Sequence, residues 1–183
     1  MHLRNDFGRA IILYLRRCEA ASHLRRIASR FAVAHSYVMI RAVTRDDFAE
    51  WRRMRAALWP DCPPEMHELE MAEQSSSSEF AVFVHERSHG KLGGFIELSI
   101  RHRVDGTMSP RVGYVEGWYV DADLRGKGAG RALIARAEAW AKQMGFAEMA
   151  SDAELENEDS IRAHGALGFR ETFRLVHFVK SLG

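Results

Sequence analysis

With 183 residues, 46% hydrophobic and 28% charged, the chain is long enough for one domain with a sizeable core and too ordinary in composition for a disordered or fibrous class. Its only cysteines, Cys18 and Cys62, supply neither a disulfide framework nor zinc spacing, and its nine His residues are scattered, so no metal is assigned and a reducing cytoplasm is expected. The net charge of +1 divides unevenly, residues 1–38 carrying +5 and the remainder −4.

Residues 1–38 read as a basic N-terminal extension, either appended or folded as an amphipathic helix with Ile12, Leu15, Leu24, Ile27 and Phe31 on one face. Its Arg residues lack interleaved stacking platforms, so no nucleic-acid partner is expected. No apolar run is long enough to span a membrane. Met39 reads as a natural start of the domain proper, 39–183. Met39–Val43 has the pattern of an edge strand, and Asp46 is placed to cap a helix running to Leu58. Trp59-Pro60-Asp61-Cys62-Pro63-Pro64 breaks that helix, and Glu65–Gln74 reads as a second, acidic one. Strands follow at Phe80–Glu86 and Leu92–Arg101, then a turn through Asp105–Pro110 and a central strand, Val112–Val120. Leu133, Ile134, Ala137, Trp140, Ala141 and Met144 recur at helical spacing, and Gly145 ends that helix. Phe146–Ser151 reads as a strand, Asn157–Leu167 as a helix, and Thr172–Lys180 as a last strand.

The junction of central strand and helix carries the chemistry. Arg125-Gly126-Lys127-Gly128-Ala129-Gly130 puts flexible backbone at a positive helix end, where free N–H groups grip phosphate. No Ser or Thr follows a Gly-Lys pair, which excludes a Walker loop, and the Gly-x-Gly-x-x-Gly spacing of a dinucleotide fold is missing. Arg125, Gly128 and Gly130 instead form Arg-x-x-Gly-x-Gly. This resembles the acetyl-CoA pyrophosphate loop of the GNAT N-acetyltransferase superfamily, and the order strand, loop, helix, strand, helix, Leu167-Gly168-Phe169 agrees with it from Met39 onward.

The resemblance implies an α/β (α+β) GNAT fold: a central mixed, mostly antiparallel sheet, splayed at the acetyl-CoA site and flanked by helices. It implies acetyl-CoA as co-substrate, held by Arg125, Gly126, Lys127, Gly128, Ala129 and Gly130 at its pyrophosphate and by the backbone of Trp118, Tyr119 and Val120 along its pantetheine arm. A Val120 N–H would face the thioester oxygen. Asn157 stands where the family hydrogen-bonds the cofactor, and it is equally a helix N-cap. Glu116 is the base candidate, because a carboxylate in an apolar strand needs a partner or a function. Simple alternation puts it on one face with Trp118 and Val120. Asp152, at the C-terminal end of a strand, is suited to a cationic amine. His164 stands where many relatives have a Tyr that protonates the departing thiolate.

Leu58-Trp59-Pro60, Ser99-Ile100-Arg101-His102, Ser109-Pro110, Glu116-Gly117, Ala150-Ser151-Asp152 and Glu156-Asn157 resemble bacterial aminoglycoside 6′-N-acetyltransferases more closely. That resemblance implies antibiotic resistance as the role, a polycationic substrate wall of Trp59, Glu116 and Asp152, and a homodimer. The acidic domain, with Glu65, Glu68, Glu70 and Glu73 after Trp59, suits a polycation. The chain departs from the family's usual His at Cys62, from its usual Glu at Phe173, and in the turn after Arg101-His102, where it is one residue shorter. Alternatives are a GNAT enzyme for another amine (a polyamine, an amino sugar or a peptide N-terminus) and a non-catalytic acetyl-CoA-binding module.

Overall fold

A computed structural model describes residues 39–182 apart from His89; the basic extension expected over 1–38 lies outside the described residues. Five strands, β1 (Met39–Ala42), β2 (Phe80–Glu86), β3 (Leu92–His102), β4 (Arg111–Val120) and β5 (Met149–Ser151), form one sheet in sequence order. The first three pairings are antiparallel and β4–β5 is parallel. The sheet is therefore mixed and mostly antiparallel, as the sequence implied.

Helices α1 (Phe48–Leu58) and α2 (Pro64–Ser76) cover one face, and α3 (Ala129–Gln143) covers the other. On the first face Trp51, Met54 and Met71 pack on Val82, Val84, Leu92 and Phe95. On the second, Leu133, Ile134, Ala137 and Trp140 pack on Phe83, Ile96, Leu98 and Val115. Alternate strand residues thus feed two cores, which is why β2 to β4 read as nearly continuous apolar runs. A fourth helix, α4 (Glu158–Ala166), follows β5.

Several expected boundaries move. The N-cap position of α1 is Asp47 rather than Asp46, without a side-chain cap bond to that helix: a 3-10 turn over Arg45–Asp47 precedes it, and the Asp47 carboxylate closes that turn by accepting from the Thr44 N–H at 2.7 Å and the Thr44 hydroxyl at 2.8 Å. Pro64 begins α2 because a proline at the first helical position loses no hydrogen bond. β5 is only three residues long, against the six expected from Phe146. The strand expected over Thr172–Lys180 is not formed, and residues after Ala166 carry no regular structure. A strand needs a neighbour for its backbone groups, and the alternation of Phe173, Leu175 and Val179 finds none among the described residues.

Candidate active site

The pairing of β3 with β4 slips at one point. Glu97 opposes Gly117 and Leu98 opposes Val115, so Glu116 is the extra residue of a β-bulge. The slip reverses the phase of β4. Val115 before it and Trp118 and Val120 after it all face α3, while Gly117 and Tyr119 face α1 and α2. Glu116 turns to the α1–α2 side as well, which corrects the expectation that it shares a face with Trp118 and Val120.

There Glu116 meets an open cleft of about 660 Å³. Trp59 and Cys62, from the break between α1 and α2, line the same cleft. Trp59 lies directly on β4: a Cβ at position 117 would stand 2.4 Å from its ring, so only glycine lets the indole reach the strand. The Arg55 guanidinium lies over the same ring, 4.7 Å from its centroid. Asp61, Glu70, Glu73, Glu97 and Glu116 give the cleft an acidic lining, with Arg55 as the basic member.

The Glu116 carboxylate is tied to its neighbours on β3. Oε1 accepts from the Ser99 hydroxyl and from Arg101 Nε at 2.8 Å, and Oε2 accepts from Arg101 Nη2. Arg101 also stacks on Tyr114, 3.7 Å from the ring centroid. Burial, and then the negative charge of Asp152, push the Tyr114 phenol up to about 12, so it stays a neutral hydrogen-bond donor beside that carboxylate. Asp152 follows β5 and is exposed. Arg101 and Tyr114 therefore connect Glu116 with Asp152. Sequence reasoning placed Arg101 only within a motif and gave Tyr114 no role; the available signal was Tyr114 two residues before Glu116 on β4 and Arg101 on the strand paired with it.

Beneath the cleft lies a second carboxylate that sequence reasoning missed. Glu97 is 1% exposed and accepts from Trp51 Nε1 at 2.7 Å, Arg55 Nη1 at 2.5 Å and Gln74 Nε2 at 3.0 Å. Burial holds its carboxyl above the ordinary carboxylate range against the pull of Arg55 and these donors.

On the far side of β4 the glycine loop has the form expected of an anion cradle. Gly128 has φ 92° and Gly126 φ 70°, backbone open to glycine and costly for other residues. The N–H groups of Gly126, Gly128, Ala129 and Gly130 make no backbone hydrogen bond among the described residues. Gly130 lets the helix start press on Trp118, where a Cβ would come within 2.8 Å. Arg125 is exposed, its Nε donating to the Val120 carbonyl at 3.0 Å. Arg87 braces the approach by donating to Asp121 at 2.8 Å and to Asp123 at 2.7 Å. β5 pairs with β4 only from Gly113 to Val115, so Trp118, Tyr119 and Val120 lie beyond the last β5 pair, and the two strands part there. Unpaired N–H groups at a helix start next to a free strand edge fit a pyrophosphate followed by an amide-bearing arm.

His164 stands 5.5 Å from Trp118 and 5.2 Å from Phe169 in edge-on packing. Its Nδ1 donates to the Ser160 carbonyl at 2.8 Å, and Nε2 meets the Ser151 hydroxyl at 2.9 Å. Asn157 caps α4, its side-chain oxygen accepting from the Ser160 N–H at 3.0 Å. Phe173 is exposed and does not line the cleft, so it stands apart from Trp59, Cys62 and Glu116.

Residues 43–169 match the model of the acetyltransferase (GNAT) family. The chain belongs to the GNAT acetyltransferase family. It is an acetyl-CoA-dependent N-acetyltransferase. An aminoglycoside N(6′)-acetyltransferase type 1 of Stenotrophomonas maltophilia is 42% identical over 140 residues, which are 76% of this chain and 90% of that protein. One of Serratia marcescens is 40% identical over 146 residues, 79% of this chain and all of that protein. Among solved structures, AAC(6′)-Iy in complex with the bisubstrate analogue CoA-S-monomethyl-acetylneamine superposes with a TM-score of 0.76 at 35% identity, covering 80% of this chain and 99% of that one. The aminoglycoside 6′-N-acetyltransferase AAC(6′)-Ih of Acinetobacter baumannii gives 0.75 at 33% identity, covering 80% and 99%. As a GNAT enzyme the chain matches the family from just after β1 to just past α4.

Proposed function

We propose that this GNAT enzyme is an aminoglycoside 6′-N-acetyltransferase, moving an acetyl group from acetyl-CoA to an amino group of an aminoglycoside by direct attack of the amine. The observation that carries the reading is the acidic cleft in which Trp59 and Glu116 stand together. A polycation is drawn to such a lining, and an indole offers a flat face to a sugar ring. The names of the relatives in Stenotrophomonas maltophilia and Serratia marcescens support the same acceptor.

Bound acetyl-CoA would supply the reactive thioester, with Arg125–Gly130 at its pyrophosphate, the Trp118–Val120 backbone along its arm, and Asn157 beside it. Glu116 takes the ammonium proton, directly or through a water, and Ser99 and Arg101 fix its two oxygens. Asp152, next to the un-ionised Tyr114, anchors a cationic amino group of the acceptor. The Val120 N–H serves as the donor at the developing oxyanion. His164, held by the Ser160 carbonyl and the Ser151 hydroxyl, stands as the acid for the departing CoA thiolate. Cys62 adds a thiol to the acceptor wall, and Phe173 contributes only where the C-terminal segment folds back or reaches a second subunit.

Thiol release from acetyl-CoA in the presence of kanamycin or tobramycin tests the whole reading. Turnover is expected, and Glu116→Gln should lower kcat/KM for the acceptor by about 10²–10⁴ while leaving CoA binding, read by calorimetry, unchanged. Turnover of a polyamine or amino sugar with none of any aminoglycoside would replace the acceptor. Full activity in Glu116→Gln would remove that residue from the chemistry.

A homodimer is part of the same proposal. Leu175, Val176, Phe178 and Val179 are exposed in a segment with strand-like composition, next to a sheet that ends at a three-residue β5. Sedimentation should give twice the chain mass, and deletion of residues 172–183 should reduce it to one. Cytoplasmic placement accords with isolated cysteines, and among the described residues no helix is long and apolar enough to cross a membrane. Residues 1–38 are proposed as an extension to the domain, since the family match begins at residue 43.

A further inference from the structure

Cys62, His67 and Glu70 follow no familiar ligand spacing, and the sequence accordingly suggests no metal. The fold nevertheless gathers them. Cys62 lies in the break before α2, His67 and Glu70 follow one another at i and i+3 on that helix, and one donor atom from each lies within 4.8 Å of the others. His67 is 2% exposed. Its Nδ1 accepts from Arg55 Nε at 3.3 Å, and its buried Nε2 has no hydrogen-bond partner among the described residues. A buried polar atom left unpaired costs about 1–3 kcal/mol, so whatever engages it is favoured. Glu70 gives Oε2 to Arg55, and its Oε1 has no partner among the described residues. The Cys62 thiol is free and half-buried, its nearest acceptor the Pro63 carbonyl at 3.8 Å.

We propose that Cys62, His67 and Glu70 form a three-ligand site for a thiophilic divalent cation of the zinc class, with the fourth position open to the cleft. One sulfur, one imidazole nitrogen and one carboxylate oxygen suit a tetrahedral, borderline-soft ion and disfavour magnesium or calcium. On binding, the thiol proton goes to solvent and the thiolate becomes a ligand. His67 gives the lone pair of one ring nitrogen while the other keeps the ring proton, and the long contact with Arg55 is the bond given up. Glu70 bridges, one oxygen on Arg55 and the other on the ion. Glu97 keeps Arg55 neutralised from below, and Glu73 and Asp61 keep the surroundings acidic, which lowers the cost of bringing in a dication.

Cys62 and Glu70 line the same cleft as Trp59 and Glu116, so a bound ion excludes a polycationic acceptor from it. That consequence rests on the proposed acceptor; the cation site does not.

Cobalt(II) titrated into the chelator-stripped full chain tests the site, because a thiolate–cobalt bond has its own charge-transfer absorption. The band should saturate at one ion per chain, persist in Cys18→Ser, disappear in Cys62→Ser, and need at least about tenfold more cobalt in Glu70→Gln. No band in the unaltered chain, or a band surviving Cys62→Ser, overturns the site. Zn²⁺ should also raise the acceptor KM in the unaltered enzyme and not in Cys62→Ser. A band with normal cobalt affinity but no effect of Zn²⁺ on KM upholds the site and overturns the assignment of this cleft to the acceptor.

Discussion

Gly117 shows how much one missing atom decides at this site. Strand residues normally carry side chains for packing, and glycine weakens a strand. Here the absent Cβ is the space in which the Trp59 indole rests, within 2.4 Å of where that atom would be. Gly117→Ala should therefore cost about 1–3 kcal/mol in a denaturant or thermal melt, as overpacking does, and should raise the acceptor KM because Trp59 must leave the strand. An unchanged melt with an unchanged KM would mean that the indole has room to give. Glu116, its neighbour, is placed by the same irregularity: the bulge turns the carboxylate into the cleft and sets it against Ser99 and Arg101. The identity of Glu116 as a carboxylate out of place in an apolar strand was legible in the sequence. Its facing was not, because period-two alternation holds only where pairing is uninterrupted.

At the scale of elements, ends and connections carry the information. The start of α1 depends on Asp47, which is 7% exposed and bound by the Arg41 guanidinium at 2.6 Å and by Thr44. The Arg41 hydrogen bond, against the cost of burial, lowers the Asp47 carboxyl from 3.8 to about 2. A depressed carboxyl stabilises the fold above its unfolded value, and that contribution is lost as pH falls from about 4 through about 2. Asp47→Asn should thus cost about 2 kcal/mol at neutral pH, with the difference between variant and parent closing below pH 2; thermal melts across that range check it. A gap that stays constant down to pH 2 would place the effect elsewhere. Helix starts of this kind are readable from sequence to within a residue, which is how Asp46 came to be expected where Asp47 acts. The glycine loop lies between β4 and α3, where the sequence placed it, since positive φ at Gly126 and Gly128 is a local demand that local sequence satisfies.

At the scale of the molecule, a buried ionic cluster ties β3 to α1 and α2 under the proposed acceptor cleft. Glu97 and Arg55 are 1% and 2% exposed, and each holds the other together with Trp51, Gln74 and Glu70. Removing Glu97 takes the acceptor from the buried Trp51 Nε1 and Arg55 Nη1 and leaves Arg55 only Glu70, so Glu97→Ala should cost about 3–5 kcal/mol in a denaturation experiment. Because Arg55 also supports Trp59, the same change should raise the acceptor KM while leaving CoA affinity alone. A loss below about 1 kcal/mol would show that water reaches Arg55. The sequence by itself determined the family, the place of the glycine loop and the order of elements as far as α4, because periodicity, caps and glycines act over a few neighbouring residues. Only the tertiary structure decided which face Glu116 uses, that Glu97 and Arg55 lie beneath the cleft, that Cys62 meets His67 and Glu70, and that the C-terminal segment finds no strand to pair with. Each of those outcomes depends on partners dozens of residues away or on the far side of a register slip, and no local pattern encodes them.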